Sequence, residues 1–445
     1  MKKSIFAALL AACVLPSIFA IETQFSGSIS AEAGRPFPNV KHDDLFTAAT
    51  VKADGELYVY ASKDITFFGK CQAVYDKLAY QSDAFDASTS DGQFGLILKE
   101  AWLDFTSDWW ALRVGRQINS WGKADVISVL DVLCPKNYTT LPLLNTSDAY
   151  LGIDAARLSA SYDVYSVDFY WIPFVRSSVL PLAKNHPIRK IIDEELNTEL
   201  RGYAQIGKVE EIEPTVDNCE YGFRASAYWK YADISLYGFY GWDRVPKAFR
   251  IVTESTMPPL IKFNFPHNRT KMLGADASIP VKDFVIRLEG AYFMDTPVMP
   301  VLEVRDILIV MTHPDEFHSV KRDLISGVFG LDWMPGSWIF SAQYGANLVL
   351  GDVEGLACDK YEHLATLAVS KRLFRDTLVL GAAGILYFKD WNNAFILNAS
   401  YNASDDFVLS LSGFYYNILT ELPELPLFED YTHWGGITAG IKYSF

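Results

Sequence analysis

Polar and apolar residues alternate with a period of two along most of the chain. Val51, Ala53, Gly55, Leu57 and Val59 interleave with Lys52, Asp54, Glu56, Tyr58 and Tyr60. Ala101, Leu103 and Phe105 oppose Glu100, Trp102 and Asp104, and the run WALRVGRQ opposes Trp110, Leu112 and Val114 to Arg113 and Gln117. The last ten residues, GITAGIKYSF, continue the pattern from Ile437 to Phe445. This period predicts strands with two unlike faces. The strands come in pairs joined by short Asp-, Gly-, Pro- or Lys-containing turns, as in RLSASYDVYSVDFYW and ISGVFGLDWMPGSWIFSAQYGAN. The connections between pairs are long, over 34–49, 81–93, 122–148, 175–219, 244–269, 294–323, 348–362 and 418–433, with one short exception at 388–392.

Strands of about ten residues, with short turns at one end and long loops at the other, predict an all-β transmembrane antiparallel barrel of about 18 strands (16–18). Its turns would be periplasmic and its loops extracellular. The physical basis is that hydrocarbon satisfies no backbone polar group, so a sheet crosses a bilayer only if it closes on itself. A soluble sandwich or propeller would also alternate. The tight–long rhythm, the number of long strands and the terminal strand weigh against it.

Composition sharpens this picture. Half of the 445 residues are apolar and 14% are aromatic, which suits pleated surfaces. Lys2, Lys3, the apolar run from Ile5 and the small Ala20 read as a secretory signal over 1–20, leaving 21–445 as one barrel domain. Leu10-Ala11-Ala12-Cys13 also has the form of a lipoprotein cleavage box, but the apolar stretch after Cys13 disfavours it. No later stretch is long and apolar enough for a membrane helix. A formal charge of −15 disfavours nucleic acid as a partner. The cysteines fit no zinc spacing, and Cys134 with Cys219 is a plausible disulfide of neighbouring loops.

With the polar face inward, Lys70, Asp76, Glu100, Asp104, Arg113, Arg157, Asp168, Arg224, Arg287 and Glu289 are the candidate pore-lining residues, and Lys230 joins them by the same parity. A charge at the bilayer centre costs about 2–4 kcal/mol on the lipid face, so exclusion from lipid alone would also place these residues inward. A charged ring that sorts solutes is the functional reading. The connection 122–148 is the candidate constriction loop. Asp125 and Asp131 stand among Val126, Ile127, Leu130 and Leu133 at short helical spacing, and so apolar a loop has reason to pack on the barrel wall. In 175–219, Ile188, Ile191, Ile192 and Leu196 suggest a helix capping the pore or covering its rim.

Gly115-Arg116-Gln117, Trp121-Gly122, Asp125, Asp131 and Pro135 together resemble a signature of a bacterial porin-like family of unknown function. EYGFRASAYWKYADISLYGFYGWDRVP and VIRLEGAYF are similar in kind. The resemblance implies an outer-membrane barrel and leaves the solute open. Arg116 nevertheless falls on the lipid parity near the outer rim, which suggests a bulge or a snorkelling side chain. A final strand ending on Phe445 resembles the ending of known outer-membrane barrels and implies recognition by the outer-membrane assembly machinery. The seven histidines are scattered, with no Ser or Cys nucleophile motif beside one, so no enzyme activity, metal or cofactor is expected. The expected function is a porin-like channel for passive diffusion of small hydrophilic solutes, with membrane lipid around it. The alternative is a barrel with a closed lumen whose surface loops bind a ligand or act as an adhesin.

Overall fold

The computed structural model describes residues 22–37, 49–77, 86–88, 93–139, 148–180, 182, 189, 193, 204–254, 260–301, 317–389, 391–417 and 433–445. The candidate signal, the candidate helix at 188–196 (except Arg189 and Asp193) and loop residues 140–147 lie outside these residues.

The described strands, in chain order, are β1 (Glu22–Pro36), β2 (Ala49–Ser62), β3 (Ile65–Asp76), β4 (Ala87–Ser88), β5 (Phe94–Thr106), β6 (Trp110–Gln117), β7 (Ile153–Tyr162) and β8 (Tyr165–Phe174). They continue as β9 (Ala204–Val209), β10 (Glu220–Trp229), β11 (Ala232–Trp242), β12 (Arg250–Glu254), β13 (Leu260–Phe265), β14 (Arg269–Val281) and β15 (Phe284–Val298). The last are β16 (Val320–Trp333), β17 (Trp338–Val349), β18 (Tyr361–Leu373), β19 (Leu378–Tyr387), β20 (Asn393–Asn402), β21 (Phe407–Asn417) and β22 (His433–Ser444).

Eighteen of these pair antiparallel in a closed ring. β4 only flanks β5, and β9, β12 and β13 form a separate three-stranded sheet within the long connections. The ring closes where Ser28 to Pro36 of β1 register with Ser444 to Gly436 of β22. Gly27 and Phe445 exchange two backbone hydrogen bonds of 2.9 Å at the seam. A Cβ on Gly27 would lie 2.7 Å from the Phe445 ring, so this approach requires glycine. The short turns at one end use left-handed residues where two-residue hairpins need them, Asp163 (φ 53°) and Lys282 (φ 56°) among them.

The burial pattern is inside out. Gln117 and Glu220 are 0% exposed, whereas Leu367 and Leu397 are 63% and 64% exposed. Tyr165, Trp171, Trp338, Tyr344, Tyr443 and Phe445 also stand exposed on the outer face. A soluble sandwich would hide the leucines. A barrel made for hydrocarbon turns them out and buries its polar side chains within. One irregularity changes what the inner face carries. The β3–β5 register slips between Lys70 and Cys71, and the extra residue on β5 puts both Lys99 and Glu100 inside.

Candidate functional site

The connection after β6 folds into the ring. Trp121 inserts among the inward rings of Tyr170 (5.8 Å), Tyr237 (5.1 Å) and Phe239 (6.4 Å). Leu130, Leu133 and Cys134 follow it into an apolar cluster with Ile153, Ile172, Met272 and Phe293 of the wall. Two wall glycines make room. A Cβ on Gly222 would meet the Trp121 ring at 3.1 Å, and one on Gly274 would meet Leu130 at 2.3 Å.

The loop is anchored on the far wall. One carboxylate, Glu289 on β15, accepts hydrogen bonds from the N–H groups of Lys123, Ala124 (2.7 Å) and Val129 (3.0 Å) and from Ser128 Oγ (2.9 Å). Gln343 on β17 accepts from Val126 N (3.3 Å) and Ile127 N (3.0 Å). β17 lies eight strands on from β6 in the ring of 18, so the loop crosses nearly the full bore. The short helix suggested by the spacing of Val126, Ile127, Leu130 and Leu133 is absent; the segment is a chain of bends. Its amide hydrogens are donated to Glu289 and Gln343, and a helix would need them for its own carbonyls. Gly122 makes this possible, with φ at +96° and only 2.3 Å between its would-be Cβ and Glu289 Oε1.

The charged residues singled out from the sequence face inward, mostly as pairs. Lys70 meets Glu56 (2.6 Å), Arg113 meets Asp104 (2.7 Å) and Arg157 meets Asp168 (2.8 Å). The Arg113 guanidinium also lies 3.7 Å over the Trp102 ring. Arg287 bridges Asp332 (2.7 Å) and loop Asp125 (2.9 Å), so one cation ties wall to loop. Glu100 accepts from Ile118 N (3.0 Å) at the loop's start. Buried Asp76 accepts from Thr50 (3.2 Å). Asp131 takes Lys136 (2.9 Å) and the Tyr150 hydroxyl. Arg224 differs: it lies 5.7 Å over the Tyr237 ring and has no carboxylate partner among the described residues. A polar cavity of about 390 Å³ adjoins the loop, lined by Asp125, Asp131, Lys136, Tyr150 and Arg287 among others.

Two further sequence expectations need correction. Lys230 sits in the tight turn after β10, its ammonium 5.3 Å over the Tyr231 ring, because the strand ends one residue before it. Cys134 and Cys219 are both free; Cys134 is packed in the loop's apolar cluster, and its sulfur accepts from Asn119 N. Ser177 Oγ lies 2.7 Å from His267, a serine–histidine contact that no local motif announced. Arg116 does face outward, with no bulge of its own. Asp154 clasps it with two hydrogen bonds (2.8 and 3.1 Å) and Asp86 adds a third (3.0 Å), so the charge is neutralised at the rim.

Several residues of the site carried no sequence signal as such. Glu220, fully buried, pairs with Arg244 (2.9 Å), whose Nε also donates to Leu133 O of the loop (2.8 Å). Burial alone would raise the Asp148 carboxyl, but Lys52 at 2.8 Å and nearby Lys99 hold it below the ordinary carboxylate range. Alternation alone could have found Lys52 and Glu220 as inward residues, but not their partners.

The fold recurs in solved bacterial proteins. The outer membrane protein opdK of Pseudomonas aeruginosa superposes with a TM-score of 0.53 at 6% identity, over 95% of this chain and 99% of that one. OccAB3 of Acinetobacter baumannii gives 0.51 at 10% identity, over 95% and 99%. OccAB4 of the same organism gives 0.51 at 9%, over 95% and 98%. Identities this low establish a shared barrel fold and nothing about cargo. No curated protein sequence matches the chain. The family model described as "Protein of unknown function (DUF1302)" matches residues 27–395, and the chain belongs to that family.

Proposed function

We propose that the protein is an integral outer-membrane channel through which small hydrophilic solutes diffuse passively. The observation that carries this reading is the loop anchored across the bore by Glu289 and Gln343. A ring of 16–18 strands is wide enough to hold water, so a loop fixed across it narrows a passage without having to fill it. Arg113, Arg157, Arg224 and Arg287, set against Glu100, Asp104 and Glu289, would supply the field that a passing solute meets. Lipid would surround the exposed leucines and aromatics. The strand ending at Phe445 would be the part that the assembly machinery recognises.

Purified protein in a planar bilayer tests this reading. Steady ohmic steps are expected, and the reversal potential in a salt gradient reports the dominant lumen charge. Absence of current from protein shown to be folded, by heat-shifted mobility on a gel, would overturn the channel. The second reading, a barrel that binds ligands through its loops, would then stand on the three-stranded sheet of β9, β12 and β13, with its clustered Phe249, Phe263 and Phe317.

A further inference from the structure

Two of the long connections meet at one point, the second through both of its ends. Ser177 follows β8, Asp243 follows β11, and His267 lies between β13 and β14. Ser177 Oγ is 2.7 Å from His267 Nε2, and His267 Nδ1 is 2.9 Å from Asp243 Oδ1 and 2.8 Å from Asp243 O. These contacts fix the proton positions. Both neighbours of Nδ1 are acceptors, so a neutral imidazole carries its hydrogen there. Nε2 is then a bare lone pair, and the Ser177 hydroxyl must donate to it.

The surroundings suit a nucleophile. The side chains of His267 and Asp243 are 1% and 3% exposed, whereas Ser177 is only half-buried. Asn268 N holds Asp243 Oδ1 at 3.0 Å, while Asp243 Oδ2 is buried with no partner. That carboxylate keeps charge to spare for an imidazolium. The backbone N–H of Ser177 makes no hydrogen bond among the described residues and is free to receive an oxyanion. The next residues tie the serine to the constriction loop: Ser178 Oγ accepts from Lys136 N (3.0 Å), and Val179 N donates to Lys136 O (2.9 Å).

We propose that Ser177, His267 and Asp243 form an activated-serine centre at the loop end of the barrel that hydrolyses small carboxylic esters. Ser177 Oγ bonds to the ester carbonyl carbon as its proton passes to His267 Nε2. The oxyanion collapses, the ester C–O bond breaks, and the departing alcohol takes that proton. Water, deprotonated by the same nitrogen, then attacks the acyl-serine and releases the acid. Asp243 is the positioning residue, holding the tautomer and the ring. The centre goes beyond the channel reading and does not depend on it.

The folded full-length protein is treated with an alkyl fluorophosphonate, which forms an Oγ–P bond at an activated serine and loses fluoride. The expected result is one adduct per chain, on the peptide containing Ser177. General-base assistance is worth about 10²–10⁴-fold, so His267→Gln should slow labelling by at least about 10²-fold. Ser177→Ala, which removes one oxygen and leaves the ring, should abolish both labelling and hydrolysis of p-nitrophenyl butyrate while leaving heat-shifted mobility and single-channel conductance unchanged. No adduct on folded wild-type protein would overturn the proposal, as would equal ester hydrolysis by wild type and Ser177→Ala. Labelling at an undiminished rate in folded His267→Gln would also overturn it, since the serine would then react without the imidazole. If His267→Gln does not fold, the adduct on wild type and the Ser177→Ala comparison decide alone.

Discussion

The wall from β5 to β17 and the wall from β18 to β22 follow one rule on the outside and two on the inside. Outward, both expose leucines and aromatics. Inward, the first is crowded with paired charges, stacked rings and glycine notches. Register places Thr366, Ala368, Ser370, Ala383, Asn398, Ser400, Ser410, Ser412 and Thr438 inward on the second, with Glu362, Arg372 and Lys442 as its inward charges. The first wall must receive a loop, and a docked loop brings amide hydrogens that need acceptors and apolar side chains that need a surface. The second wall takes none of the anchors of the described loop, and its inner face sets small polar residues beside a few apolar ones such as Ile385, Ile396 and Phe414. On this reading, solute passes between the loop and the bare wall.

Removing Glu289 is the most direct way to break the asymmetry. Glu289→Ala deletes four hydrogen bonds to one carboxylate, three from the loop's backbone and one from Ser128. Hydrogen bonds to charged groups are worth about 1.5–3 kcal/mol each. The loop should leave the far wall, and single-channel recordings should show a larger conductance with added noise. Unchanged conductance would mean that the loop does not set the narrowest section. Gly122→Ala should act in the same direction and more weakly. A side chain at φ +96° costs about 1–3 kcal/mol, and its Cβ presses on Glu289, yet every anchor remains in place.

Electrostatics gives a smaller and more discriminating test. Arg224→Gln and Arg372→Gln each remove one positive charge, from opposite walls. Arg224 is half-buried beside Tyr237 with no carboxylate partner among the described residues, while Arg372 is exposed near the short-turn end. Charges in open water are screened over about 10 Å at 0.1 M salt, and partly buried ones much less. The reversal potential should therefore shift further toward cation preference for Arg224→Gln. Equal shifts would show that the two walls contribute alike.

How much of this was legible in the sequence follows from the range of each interaction. Alternation is local, so the ring, its strand count and the inward parity of Arg113, Arg157 and Glu289 could be read from short windows. The apolar content of 126–133 was enough to predict packing on the wall. The anchors were not readable, because Glu289 is about 165 residues from the amides it binds and strand parity would place it inward whatever it met. Lys99 was hidden by a bulge that leaves no local mark. Ser177, Asp243 and His267 come from two connections and span 90 residues, and the pairing of β8 with β10, β10 with β11 and β11 with β14 brings them together.

Cys134 offers the smallest effect and the cleanest report on loop docking. Burial in the loop's cluster pushes its thiol up to about 12, against about 8.5 for an ordinary cysteine. The neutral thiol is thus favoured only while the loop is docked. Its contribution to docking is full below pH about 8.5 and is lost as the pH rises toward 12. At pH 8 the buried thiolate fraction is on the order of 10⁻⁴, so a hydrophilic methanethiosulfonate should modify Cys134 slowly. Exposed Cys71 is the internal control, since it lies on the outer face and should react only where detergent admits the reagent. In Glu289→Ala, Cys134 should react orders of magnitude faster at the same pH. Raising the pH of wild type should accelerate the reaction more steeply than thiolate formation at a fixed site, because ionisation and undocking reinforce each other. Equal rates at Cys134 in wild type and Glu289→Ala would separate the carboxylate from the docking of the loop's apolar side, leaving Trp121, Leu130 and Leu133 to hold it in place.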